Sequence, residues 1–122
     1  MKLLFVGDVI GKPGRKALAR LLPRLVDDHR ADYVIVNVEN AAGGFGVTKE
    51  VCDEILDLGV DCLTSGNHIW DKREILGWVD LIPQLLRPHN YPKAQPGRGS
   101  HVGVSRRSKV KVATLNLSCR VF

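Results

Sequence analysis

Three short apolar runs, each ending in polar residues, set the pattern of this chain. Leu3-Leu4-Phe5-Val6-Gly7 runs into Asp8, and Tyr33-Val34-Ile35-Val36-Asn37-Val38 runs into Glu39-Asn40. Val60 to Leu63 runs into Thr64-Ser65-Gly66-Asn67-His68. Short apolar runs bounded by turn residues fit strands of a parallel sheet, buried on both faces. They predict strands at 2–7, 33–38 and 60–64. Between the first two, Leu18, Leu21, Leu22, Leu25 and Val26 share one face of a helix running to about Asp28. Pro23 lies inside that pattern and predicts a kink, because it removes a backbone donor and crowds the preceding turn. Between the second and third, Val51, Ile55 and Leu58 form the apolar face of a helix with Thr48 as its N-cap and Gly59 just past its end.

After the third run the signals shorten. Asp71-Lys72-Arg73-Glu74 reads as a capping box, with Asp in the cap position, for a helix to about Val79. Leu85-Leu86-Arg87 predicts a short strand stopped by Pro88, and 88–99 a loop rich in proline and glycine. His101 to Ser105 and Lys109 to Leu117 predict two strands joined at Arg106-Arg107-Ser108, a hairpin. The order is that of an α/β fold: a parallel β-α-β-α-β sheet with helices on its faces and a C-terminal β-hairpin. The 122 residues form at most one domain, and an apolar terminus directly after a strand reads as incomplete at the C-terminus.

The strand ends carry the candidate chemistry. In an open α/β sheet the carboxyl ends of the strands line the ligand crevice. Asp8, Glu39, Asn40, Asn67 and His68 are therefore expected in one site. Taken singly, each has a plainer reading as a turn residue or a structural hydrogen-bonding group; the coincidence at three strand ends favours function. Carboxylate and amide oxygens with imidazole suit a hard or borderline divalent ion. Glu39, on the middle loop, is the candidate bridge between two ions, an arrangement that suits hydrolysis of a phosphate ester. His68 is placed to protonate the leaving oxygen. The Gly7 to Pro13 turn is not a P-loop: its glycines are one residue too close, and Pro13 replaces the required hydroxyl residue.

Charge and cysteines change the picture little. Residues 1–80 hold 10 Lys/Arg and all 13 Asp/Glu, whereas residues 81–122 hold 8 Lys/Arg and no acid. That basic segment is either a solvated face or a rim that attracts phosphate, and its spread favours the first reading. The three cysteines, Cys52, Cys62 and Cys119, have no metal-binding spacing and read as buried free thiols. No apolar run is long enough for a membrane span, and the N-terminal run stops too early for a signal peptide, so the expected location is the cytoplasm.

Gly66-Asn67-His68 with Asp71 resembles the third block of the calcineurin-like metallophosphoesterases. Gly7-Asp8-Val9-Ile10-Gly11 with Pro13-Gly14-Arg15, then Asn37-Val38-Glu39-Asn40-Ala41-Ala42-Gly43, then Gly66-Asn67-His68-Ile69-Trp70-Asp71-Lys72, resemble the bacterial 2′,3′-cyclic-nucleotide 2′-phosphodiesterases. Arg87-Pro88-His89-Asn90-Tyr91-Pro92 resembles a further segment of that subfamily. The resemblance implies half of a metallophosphoesterase α/β sandwich. It also implies that Asp8, Glu39, Asn40 and Asn67 ligate two metal ions, iron or manganese, with His68 as the proton donor. The family's further histidine ligands, including an H-x-H pair, have no counterpart among the 122 residues. A chain ending at Phe122 is accordingly expected to bind metal weakly, turn over little, and self-associate through exposed strand edges.

The function expected is a metal-dependent phosphodiesterase that hydrolyses cyclic nucleotides and other phosphodiesters by hydroxide attack. The alternative is a non-catalytic phosphate- or nucleic-acid-binding α/β domain using helix N-termini as anion sites. Its stacking aromatics are scarce: Phe, Trp and Tyr total seven and do not interleave with the basic residues. The partners expected are a small-molecule phosphodiester or cyclic nucleotide, RNA as a second ligand class, no membrane, and copies of the chain in a homo-oligomer.

Overall fold

The computed structural model describes residues 1–119. Its parallel sheet contains β1 (Leu3–Val6), β2 (Tyr33–Asn37), β3 (Cys62–Thr64) and β4 (Leu85–Leu86), in that spatial order. Helices α1 (Gly11–His29) and α2 (Lys49–Asp57) connect β1 to β2 and β2 to β3. An antiparallel hairpin of β5 (Ser100–Val104) and β6 (Lys111–Leu115) follows. Register pairs Leu4 with Val34 and Val36 with Leu63, so successive strand ends fall at one edge of the sheet. Among the described residues no helix is long and apolar enough to cross a membrane.

Alternation along β2 explains the two cores. Val34 and Val36 join Leu63, Leu85, Leu18, Leu22, Val51 and Ile55 in the main core. Tyr33 and Ile35 belong to a second cluster with Cys62, Leu86 and the hairpin's Val112. The hairpin passes so close over Tyr33 that a Cβ on Gly103 would lie 2.6 Å from the phenolic oxygen. Burial pushes the Tyr33 hydroxyl above its ordinary value and the Cys62 thiol up to about 11.

Most predicted elements form as read, and α1 runs unbroken through Pro23. Thr48 Oγ1 accepts from the Val51 N–H at 3.4 Å, and Gly59 takes φ +87 just beyond α2. Four expectations need correction. Strand β1 is an edge strand, not one buried on both faces: Leu3 and Phe5 remain 54% and 61% exposed, because the described hairpin covers β2 to β4 but not β1. Leu21 is likewise exposed on α1, where it lines an open apolar hollow with Val6 and Leu25. Cys119 is exposed, whereas Cys52 and Cys62 are buried.

The fourth correction is the helix expected over 71–79. The chain there instead forms two short 3-10 helices, Arg73–Gly77 and Val79–Leu81, following a third at Asn67–Trp70. No capping box forms. Lys72, not Asp71, occupies the cap position, and it makes no side-chain cap bond. The chain closes by i to i+3 bonds, such as Ile75 N–H to Lys72 C=O and Trp78 N–H to Ile75 C=O. Gly77 within the segment further weakens any longer helix.

The basic turn of the hairpin is tied to the other edge of the sheet. Arg106 N–H donates to Asp32 C=O at 2.9 Å, its guanidinium lies 2.9 Å from Asp61 Oδ2, and it also meets the Gly59 carbonyl. Asp32 and Asp61 precede β2 and β3. Arg106 thus lies at the end remote from the Asp8, Glu39 and Asn67 loops and forms no rim around them.

Candidate metal centre

Each candidate residue stands just beyond the carboxyl end of a strand, and the three loops are stitched together there. Val9 N–H donates to Asn37 C=O at 3.1 Å, Gly11 N–H to Asn40 C=O at 2.9 Å, and Val38 N–H to Thr64 C=O at 2.9 Å. Asp8 follows β1 with φ +34, a left-handed conformation that costs a non-glycine residue energy. Its Oδ1 accepts from Asn40 Nδ2 at 2.8 Å. The Asn40 amide is thereby fixed by its nitrogen, leaving Oδ1 as its acceptor atom.

Glu39 is fixed from the third loop. Its Oε2 accepts from the His68 N–H at 3.1 Å, and its carboxylate lies against the α-carbon of Gly66. A Cβ at Gly66 would sit 2.6 and 2.7 Å from the two carboxylate oxygens. Glycine is required here by close approach rather than by backbone angle. Glu39 and Asn67 line a cleft of about 580 Å³ with Asn37, Ser65, Asn116 and Cys119 among its walls. Such a volume is in the range of small-molecule sites. Asp8, Asn40 and His68 are outside that lining. Asp8 borders a separate apolar hollow beside α1.

The His68 ring is oriented by two contacts. Nδ1 lies 2.7 Å from Asp71 Oδ2, and the Phe45 ring meets it edge-on with centroids 6.0 Å apart. A carboxylate on Nδ1 selects the tautomer with its proton there and, once the ring is charged, stabilises it. The sequence pattern suits Asp71 to a helix cap; in the fold its carboxylate is instead committed to His68.

Arg15 is a second contributor that sequence reasoning misses. Its Nη1 donates to Ala41 C=O at 2.6 Å while Nε pairs with Glu54 Oε2 at 2.9 Å. It thus ties the Glu39-Asn40-Ala41 loop to α2. Its place in the Pro13-Gly14-Arg15 block is the one signal that points to it.

Among the described residues, no three His, Cys, Asp or Glu side chains converge into a metal cluster. The candidate donors are two carboxylates and two asparagine amides, so the set is oxygen-rich and half neutral. That chemistry fits hard or borderline ions such as Mn²⁺ and Fe²⁺ rather than a thiolate site.

The fold is that of an α/β protein with three loops joined beyond the carboxyl ends of its parallel strands. The model of the YmdB-like protein family matches residues 4–122, and the chain belongs to that family. It is 38% identical over 122 residues to a protein of Bacillus subtilis (strain 168) named 2′,3′-cyclic-nucleotide 2′-phosphodiesterase, covering all of this chain and 46% of that protein. It is 31% identical over 119 residues to a putative phosphatase/phosphodiesterase of Mycoplasma genitalium, covering 94% of this chain and 42% of that protein. The chain spans less than half the length of these relatives. Among solved structures, a hypothetical protein from Thermus thermophilus superposes with a TM-score of 0.87 at 34% identity, covering 99% of this chain and 46% of that one. A structure described as a novel phosphatase from Mycoplasma pneumoniae superposes with a TM-score of 0.84 at 35% identity, covering 96% and 42%.

Proposed function

We propose that the intact protein is a metal-dependent phosphodiesterase acting on cyclic nucleotides, 2′,3′-cyclic nucleotides foremost, and on other phosphodiesters. The observation that carries the reading is the stitched arrangement of Asp8, Glu39, Asn40 and Asn67 beyond three adjacent strands, with His68 hydrogen-bonded to Glu39 through its backbone. The kinship with a named phosphodiesterase supports the substrate class. The 122 residues belong, in this reading, to a single metallophosphoesterase domain.

Asp8, Glu39, Asn40 and Asn67 would hold two ions, iron or manganese. Such ions, when bound, withdraw charge from phosphoryl oxygens and make water a stronger acid. The chain's own residues supply the rest. Asn40 and Asp8 hold each other by their hydrogen bond. Glu39 is fixed by Gly66 and the His68 N–H. In its charged form His68 would present a proton at Nε2 while its Nδ1–H stays bonded to Asp71 Oδ2. As water adds to phosphorus and the P–O bond to the ribose breaks, the Nε2 proton passes to the leaving oxygen, the attacking water gives up one proton to solvent, and His68 takes a proton back from solvent afterwards. An alkoxide gains most from such help, about 10²–10⁴ in rate.

The test uses intact protein loaded with manganese. It should open a 2′,3′-cyclic nucleotide to a nucleoside monophosphate, and Asp8→Ala or Asn67→Ala should abolish turnover. No hydrolysis by the loaded protein, or full activity in both variants, would remove the reading.

A further inference from the structure

We infer that Asn116 is a positioning residue for the turn that carries Asn67 and His68. The inference deepens the reading just given, in that the turn matters because of what those two residues are proposed to do. Asn116 follows β6 and is 9% exposed. Its Nδ2 donates to Ser65 C=O at 2.6 Å and to Leu86 C=O at 3.0 Å. Both amide hydrogens are thereby used. Ser65 Oγ donates to the same Leu86 carbonyl at 2.7 Å, so the end of β4, the turn after β3 and the end of β6 meet at one point.

The geometry selects asparagine. Two carbonyls are bridged from a short stem, and only a primary amide offers two donors at that length. Aspartate has none when ionised, serine has one, and glutamine reaches too far. The anchor is itself held in place. Asn116 N–H donates to Gly99 C=O at 2.9 Å, and its C=O accepts from His89 N–H at 2.7 Å. Asn90 exchanges two further bonds with Ser118: its Nδ2 donates to the Ser118 C=O at 2.7 Å, and its Oδ1 accepts from the Ser118 N–H at 3.0 Å. The buried Arg87 clamps the same loop by donating to the carbonyls of Pro96 and Pro88 at 3.1 and 2.8 Å. The Arg87-Pro88-His89-Asn90 segment thus has a physical role, which is to seat the strand that carries Asn116.

The segment Ser65 to His68 is held from both sides. Glu39 takes the His68 N–H on one side, and Asn116 takes the Ser65 carbonyl on the other. Releasing the Asn116 bond frees the turn to shift against Glu39. Displacements of about 1 Å in a catalytic constellation can cost about 10²-fold in rate.

The experiment compares the full chain with Asn116→Asp and Asn116→Ser, ¹⁵N-labelled, by amide hydrogen exchange and by Mn²⁺-induced broadening. The expected result for Asn116→Asp is exchange of the His68 amide at least about tenfold faster, with the amides of Val36 and Val38 unchanged. Asn116→Ser, with one donor left, should fall between. In manganese titrations the Asn67 and His68 signals should broaden only at about tenfold higher metal, whereas Asp8 broadens as in the parent chain. Unchanged His68 exchange, or equal acceleration of every sheet amide, would overturn the positioning role. So would loss of the folded state in both variants, which would make Asn116 a general tie. If the parent chain shows no manganese broadening, the metal reading fails, and the exchange comparison alone still decides the role of Asn116.

Discussion

The Glu39 carboxylate lies directly on the α-carbon of Gly66, with no room for a methyl group between them: an added Cβ would be 2.6 Å from Oε2. This contact joins the loops after β2 and β3 and sets Asn67 and His68 relative to Glu39. Gly66→Ala should therefore push the flexible Glu39 carboxylate off the His68 N–H and cost the fold about 0.5–1.5 kcal/mol, the usual net worth of a hydrogen bond. Glu39→Ala in the same chain should add little to that loss, because both variants remove the same bond. Thermal unfolding of the single and double variants checks this; additive losses would show that Gly66 is needed for another reason.

A second prediction separates chemistry from binding. His68→Ala should keep the metal and lower kcat for a cyclic nucleotide by about 10²–10⁴, the range for a positioned acid. An ester with an acidic phenol leaving group should lose much less. Asp71→Asn should reproduce part of the loss, since Asp71 holds Nδ1 at 2.7 Å. Equal losses on both esters would remove the general-acid role.

The cysteines give a check on the fold alone. Burial pushes the Cys52 thiol up to about 12 and that of Cys62 up to about 11, whereas Cys119 is exposed. A neutral thiol-disulfide reagent should titrate one cysteine at once and the other two only on unfolding. Rapid modification of Cys52 or Cys62 in the folded chain would contradict the cores as described.

His101 predicts a pH dependence. Burial, followed by the charge of Arg98, holds its imidazole below the ordinary value of 6.5. The unfolded chain therefore takes up this proton first as the pH falls. Stability should decline as pH drops below about 6.5, and the decline ends once the folded imidazole is also protonated. His101→Gln should flatten the slope of the unfolding midpoint between about pH 7 and 5. An unchanged slope would assign the dependence to other groups.

How much is legible in the sequence follows from the range of each interaction. The strand at 33–38 and the helix capped by Thr48 depend on local propensity, and both form as expected. The placement of Asp8, Glu39, Asn40 and Asn67 beyond adjacent strands follows from β-α-β order alone. The exposed faces of Leu3 and Phe5 are not legible, because an apolar run reads alike in an edge strand and a central one. The helix expected at 71–79 does not form; Asp71 suits a cap equally well in sequence, and only the fold brings His68 to it. Arg15 and Asn116 act on partners 26 and 51 residues away, a separation that no local pattern encodes.

The central claim is that Asp8, Glu39, Asn40 and Asn67 hold metal while His68 does not. Metal content of the intact protein, purified without added metal, tests it most directly when compared with Asn67→Ala and His68→Ala. The account predicts iron or manganese in the parent protein, a marked loss in Asn67→Ala, and full occupancy in His68→Ala. A metal-free parent protein, or Asn67→Ala that keeps its metal while His68→Ala loses it, would contradict the account.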